Sequence, residues 1–147
     1  MKKPIVLISL AATALLTNNV MAATAINTFS VGVTLTSVCR IVTVPTAAFT
    51  YSSFQVVAST ISSSFTVQCT NTLPISNIAL DATATTDQAT NLAYTLALGT
   101  LPTVGTGIAQ TVTITGSMAA NQAGTCATAT CTNNASTNKT RTLTITY

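Results

Sequence analysis

The sequence offers few side chains for acid–base or nucleophilic chemistry. It contains no histidine, its two acidic residues are Asp81 and Asp87, and Lys139 is the one lysine beyond the first three residues. Hydrolysis or proton transfer needs a group that titrates near neutral pH, or a nucleophile with a partner base. Two carboxylates six residues apart in a polar stretch are more typical of turn residues. The sequence therefore argues against an enzyme.

Cysteine is the other reactive residue type, with four copies at positions Cys39, Cys69, Cys126 and Cys131. Three pairings are possible, and we favour Cys39–Cys69 with Cys126–Cys131. The first would close a loop of about 30 residues and stabilise the fold by roughly 3–4 kcal/mol. A zinc site is the alternative, but the spacing of the second pair is wrong for a zinc knuckle and no histidine is present. No metal, cofactor or small-molecule substrate is predicted.

The first 22 residues have the order of a secretory signal peptide. Lys2 and Lys3 precede an apolar stretch over residues 5–16, and residues 20–22 are small or apolar. The apolar stretch is too short to span a bilayer, and a buried N-terminal helix fits poorly with the two lysines. We predict that residues 1–22 are cleaved, or that cleavage falls one or three residues further on, and that residues 23–147 form one exported domain.

Removal of the signal peptide would leave a chain with very little charge. The three positive charges would come from Arg40, Lys139 and Arg141, and the two negative charges from Asp81 and Asp87. The net charge would therefore be +1. Such a chain has no basic patch for nucleic acid or anionic lipid. It also lacks the repulsion that keeps soluble proteins apart, so self-association is predicted.

The remaining sequence has the composition and periodicity of an all-β protein. It is rich in Thr, Ser and Val and contains no Glu, and residues branched at Cβ favour strands. Alternation of apolar and small polar residues predicts about seven strands. They cover residues 28–36, 41–44, 61–69, 78–81, 92–98, 108–115 and 141–147. Residues 116–139 show no periodicity and are predicted as a surface loop closed by the second cysteine pair.

Several motifs follow one another in an order known from one family. An alternating strand precedes Cys39, and after it come the aromatic segment 49–54, Phe-Thr-Val-Gln-Cys-Thr-Asn at 65–71, Ile-Ala-Leu-Asp at 78–81 and a Thr-rich closing strand. In this order they resemble the spore coat protein U domain and the subunits of archaic-type chaperone–usher pili, over essentially the whole chain after residue 22. The second cysteine pair and the lack of tryptophan depart from the family pattern.

The resemblance implies an incomplete immunoglobulin-like β-sandwich that lacks its last strand. Residues 23–36 would then be an N-terminal donor strand, which a neighbouring subunit would accept in the groove left open. The apolar donor positions would be Phe29, Val31, Val33 and Leu35. The groove, and with it the chaperone contact, would include Leu143, Ile145 and Tyr147.

The function implied is that of a structural subunit of a surface fibre or coat, assembled by donor-strand exchange and supporting adhesion or biofilm formation. Its partners would be a periplasmic chaperone, an outer-membrane usher and further copies of itself, on a route through the periplasm to the cell surface. From its pattern alone, segment 28–36 fits equally well as the first strand of a closed sandwich. The alternative function is therefore a self-contained secreted binding or adhesin domain that uses the loop 116–139.

Overall fold

The computed structural model describes residues 24–147, so the predicted signal peptide lies outside the described residues. The chain divides after Thr34, and Leu35–Tyr147 form a compact β-domain. The β-domain is all-β, and the one helical element among the described residues is a short 3-10 turn, Asn133–Ala135. Its strands are β1 Cys39–Thr43, β2 Ser59–Cys69, β3 Asn77–Leu80, β4 Ala84–Thr86, β5 Ala93–Leu98, β6 Ala109–Met118 and β7 Leu143–Thr146.

The strands form two antiparallel sheets. Five strands lie in the order β1-β2-β6-β5-β4, and β3 pairs with β7 in a separate two-stranded sheet. The longest ladder joins β2 to β6, from Ser59 opposite Met118 to Gln68 opposite Ala109. Side chains of a strand point alternately to its two faces. The alternation in β2 and β6 therefore places apolar residues on an inner face and Ser and Thr on the opposite face.

The core lies on the inner face of the five-stranded sheet. Its fully buried side chains come from β2 and β6 and include Phe65, Val67 and Val112. Gly116 of β6 is required by close packing, because a Cβ there would lie 2.7 Å from Cζ of Phe49 and 2.8 Å from Cγ1 of Ile61. The absent side chain thus provides the space in which the ring of Phe49, from the β1–β2 connection, rests on the sheet.

Two disulfides join the pairs that the sequence favours, Cys39–Cys69 and Cys126–Cys131. The first connects β1 to β2 directly across their ladder, where Cys69 is almost completely buried. Disulfides persist in oxidising compartments, so the two disulfides indicate an extracytoplasmic environment. Within residues 24–147, no helix is long and apolar enough to cross a membrane.

Two differences from the predicted strands have physical causes. The strand predicted over residues 28–36 is wrong for the chain as it stands, since this stretch pairs with no strand in the structure and is exposed. Alternation records which side chains suit a sheet, and it does not supply a partner strand. The polar stretch before Asp87 contains β4, which is three residues long and pairs with β5. So short a strand carries no detectable period.

Candidate functional site

The N-terminal segment, which we define as residues 26–35, presents a row of apolar side chains to solvent. Phe29 and Val33 are each 87% exposed, Val31 is 73% exposed and Leu35 is 76% exposed. All four occur at alternate positions, so an extended backbone would direct them to one side. Isolated exposed apolar residues are ordinary, but a contiguous row marks an interaction surface.

Strand β7, Leu143–Thr146, uses one of its two edges. It pairs with β3 from Leu80 opposite Leu143 to Asn77 opposite Thr146, and no second ladder joins it within the described part of the chain. Leu143 and Ile145 are half-buried and pack against the core, whereas Tyr147 is 53% exposed. The unpaired edge of β7 is therefore a row of free backbone donors and acceptors beside an incompletely covered core.

A cleft of about 440 Å³ opens onto the same core. One wall is residues 47–51, which follow β1, and the other is residues 131–141, which lead into β7. The floor belongs to the inner face of β5 and β6, where Leu96 and Met118 are each 6% exposed. The rings of Phe49 and Tyr94 lie 5.7 Å apart on the cleft surface. The cleft thus lies between the segment that follows β1 and the segment that precedes β7, and apolar, polar and charged side chains all line it.

Three of the five charged side chains in the described residues, Asp87, Lys139 and Arg141, line this cleft. The guanidinium of Arg141 lies 3.6 Å from a carboxylate oxygen of Asp81 and donates to Oγ1 of Thr85 and to the carbonyl of Asn138. The ammonium of Lys139 donates to the carbonyl of Asn134. These bonds fix the wall 131–141 in place, and Asp87 adds a buried carboxylate to the lining of the cleft.

Asp87 is buried and organises a turn. Its Oδ1 accepts hydrogen bonds from the backbone N–H of Ala89 and from both the N–H and the hydroxyl of Thr90. Burial alone would raise the pKa of this carboxyl, but the hydrogen bonds of Thr90, with Ser136 and Asn133 close by, lower it below the ordinary value of 3.8. Its Oδ2 nevertheless has no partner that meets hydrogen-bond geometry. These bonds give Asp87 a structural role.

This environment predicts an acid-dependent contribution of Asp87 to stability. A folded-state pKa below the unfolded value stabilises the protein above the unfolded pKa, and that contribution is lost as the pH falls through the folded pKa. We expect Asp87→Asn to lower the free energy of unfolding by about 1 kcal/mol at pH 7 and by less as the pH falls below 3.8. Urea unfolding at several pH values measures the difference. Asp81→Asn, in a half-exposed ion pair, is the control; a pH-independent loss for Asp87→Asn would contradict the prediction.

The predicted site residues fall into two groups. The donor positions lie on the exposed segment, and Leu143 and Ile145 lie on β7 against the core. Sequence reasoning missed the cleft, although the aromatic segment around Phe49 was recognised. In residues 24–147 no three His, Cys, Asp or Glu side chains are grouped to hold a metal ion. Comparisons of the chain with protein-family models, with curated proteins and with solved structures found no match.

Proposed function

We propose that this protein is an exported structural subunit that joins further copies of itself by β-strand addition. The observation that carries the proposal is the alternating row Phe29, Val31, Val33 and Leu35, each at least 73% exposed, in a chain whose β7 has an unpaired edge. In strand addition, backbone hydrogen bonds supply affinity and alternate side chains fill sites on the acceptor. In this proposal the exposed apolar row is the donor, and the unpaired edge of β7 is the acceptor.

The strand order supports an incomplete immunoglobulin-like sandwich. In a constant-type immunoglobulin domain, strands A, B, E and D form one sheet and C, F and G the other. In the order in which they lie in the sheet, β1, β2, β6 and β5 correspond to A, B, E and D, with β4 added at the edge beside β5, while β3 and β7 correspond to C and F. No counterpart of G pairs with β7 in the described residues. A segment from another copy would occupy the place of G.

The expected gain in free energy is large enough for stable association. Burying four side chains of this size contributes roughly 6–10 kcal/mol before ordering costs. The backbone ladder along β7 adds to this, and conformational ordering of the segment subtracts from it. The low net charge means that little repulsion opposes contact between copies. A subunit with an exposed apolar segment and an open core also needs protection before assembly, which is the role proposed for a periplasmic chaperone and an outer-membrane usher.

A synthetic peptide with the sequence of residues 24–36 tests the proposal on the purified chain lacking its signal peptide. We expect the peptide to bind, to suppress SDS-resistant oligomers and to raise the melting temperature. At a hundred times its dissociation constant it would add about 2.7 kcal/mol of stability, or several degrees. A peptide of the same length with aspartate at positions 31 and 33 is the matched control.

The opposite result would favour the alternative function. A chain that is a stable, cooperatively unfolding monomer without any chaperone, and that is indifferent to the peptide, would be a self-contained binding domain rather than a fibre subunit. Cell fractionation that recovers the protein as surface fibres beside an usher would support the assembly route proposed here.

A further inference from the structure

We infer that the cleft of about 440 Å³ binds a saccharide, whose ring stacks on Tyr94 and whose hydroxyl groups bond to Asp87 and Arg141. This inference goes beyond the proposed function, because it concerns the cleft alone and does not depend on how copies of the chain join. Two unpaired polar atoms beside an aromatic surface carry it.

Two buried polar atoms of the cleft residues have no hydrogen-bond partner. Of the three such side-chain atoms in the described part of the chain, Oδ2 of Asp87 and Nε of Arg141 belong to residues that line the cleft. Asp87 is 4% exposed, and the side chain of Arg141 is 17% exposed. Buried polar atoms are normally paired, because an unpaired one loses its bonds to water without gaining another. One atom is an acceptor and the other a donor, so the group that completes both must donate and accept.

These two side chains belong to one hydrogen-bonded network. The guanidinium of Arg141 donates to the carbonyl of Asn138, and the side-chain oxygen of Asn138 accepts from the hydroxyl of Ser136. Ser136 lies beside Asp87, whose Oδ1 is held by the N–H and the hydroxyl of Thr90. The polar groups are therefore fixed before a ligand arrives, and binding costs little conformational entropy.

The aromatic surface of the cleft matches the other part of a saccharide. The rings of Phe49 and Tyr94 lie 5.7 Å apart, and Leu96 and Met118 are apolar residues of the floor. A pyranose ring packs its C–H groups on such a surface, and each of its hydroxyl groups is both a donor and an acceptor. Small-molecule sites combine an apolar and aromatic lining with a few polar groups in about 300–1,000 Å³, and the cleft lies within that range.

The charges around the cleft favour a neutral ligand. The carboxylates of Asp81 and Asp87 balance the two cations of this region, so neither an anion nor a cation gains a net attraction. Both terminal nitrogens of Arg141 are already engaged, one with Asp81 and the other with the carbonyl of Asn138. The N–H that lacks a partner is the single one at Nε, whereas a carboxylate is bound best by two parallel donors. A hydroxyl group needs only one donor.

Titration of the purified chain lacking its signal peptide, followed by saturation-transfer NMR and calorimetry, tests the site. The probes are methyl α-D-mannoside, methyl β-D-galactoside and methyl N-acetyl-β-D-glucosaminide, which differ in the arrangement of their hydroxyl groups. We expect at least one of them to bind saturably in the millimolar range. Tyr94→Leu, which removes the ring, is expected to weaken that binding about fivefold, whereas Tyr94→Phe retains it. Asp87→Asn, which removes the unpaired acceptor, is expected to weaken it at least about tenfold.

Thr95→Ala is the matched control, because Thr95 is the neighbour of Tyr94 on the exposed opposite face of β5. Thermal unfolding verifies that each variant is folded, and if Asp87→Asn is not, the comparison of Tyr94→Leu with Tyr94→Phe decides. Binding of none of the three probes would overturn the inference, and so would binding that Tyr94→Leu leaves unchanged. Saturable binding of free leucine in place of the saccharides would assign the cleft to an amino acid and overturn the inference as well.

Discussion

The double variant Val31→Asp/Val33→Asp is expected to lose SDS-resistant oligomers and surface fibres while its own fold stays intact. In the single chain both side chains are exposed, by 73% and 87%, so aspartate there costs the β-domain almost nothing. In an acceptor groove the same substitutions would remove two apolar contacts and place two carboxylates in an apolar site. The apolar term alone is about 3 kcal/mol, roughly a hundredfold in affinity, and the buried charge adds to it.

The control for this variant carries the same charge on the other side of the segment. Ser30→Asp/Thr34→Asp changes alternate positions, which an added strand would direct away from the groove. We expect the control to assemble nearly as well as the unmodified chain. Thermal unfolding of both purified variants verifies that the fold is unchanged. Fibres that persist in Val31→Asp/Val33→Asp would contradict assembly through this segment.

Removal of the disulfide between β1 and β2 is expected to have the largest effect on stability. Cys39→Ala/Cys69→Ala opens a loop with a sequence separation of 30, which costs about 4 kcal/mol in the chain-entropy treatment. Truncation of Cys69, 1% exposed in the core, adds a packing loss. Small domains are stable by only about 5–15 kcal/mol. We therefore expect the loss of about 4 kcal/mol, together with the packing loss, to leave much of the protein unfolded at 37 °C. Guanidinium unfolding followed by circular dichroism measures it.

The second disulfide is the matched control for the first. Cys126–Cys131 has a sequence separation of 5 and lies exposed in the loop between β6 and β7. The same treatment gives about 2 kcal/mol for so short a loop, and no core packing is lost. We expect Cys126→Ala/Cys131→Ala to retain the fold. Equal losses of unfolding free energy in the two double variants would contradict the larger contribution expected from the β1–β2 disulfide.

The strands that can be predicted from the sequence are those in which apolar and polar residues alternate regularly. In β2, apolar residues alternate with Ser and Thr up to Cys69, because one face packs against the core while the other meets water. The same argument located β5 and β6 to within a few residues. The favoured disulfide pairing, Cys39–Cys69 with Cys126–Cys131, is confirmed.

The candidate site was less predictable because it depends on tertiary contacts. Phe49, which lines the cleft, rests on Gly116, and no periodicity in the sequence links these two residues. The segment 28–36 shows the opposite case, a strong strand pattern without a strand. Its alternation is satisfied by no sheet of the described chain, because the pattern records which side chains suit a sheet and not whether a partner strand is present.

The disulfide between β1 and β2 also has a mechanical consequence. If subunits are joined through the N-terminal segment, tension along a fibre enters each β-domain just before Cys39. The Cys39–Cys69 bond passes that load directly to β2, whose ladder with β6 runs from Ser59 to Gln68. Pulling along β1 therefore cannot peel it away one hydrogen bond at a time. The load thus bypasses the hydrogen bonds between β1 and β2 and enters β2 at Cys69, beside one end of the longest ladder of the sheet.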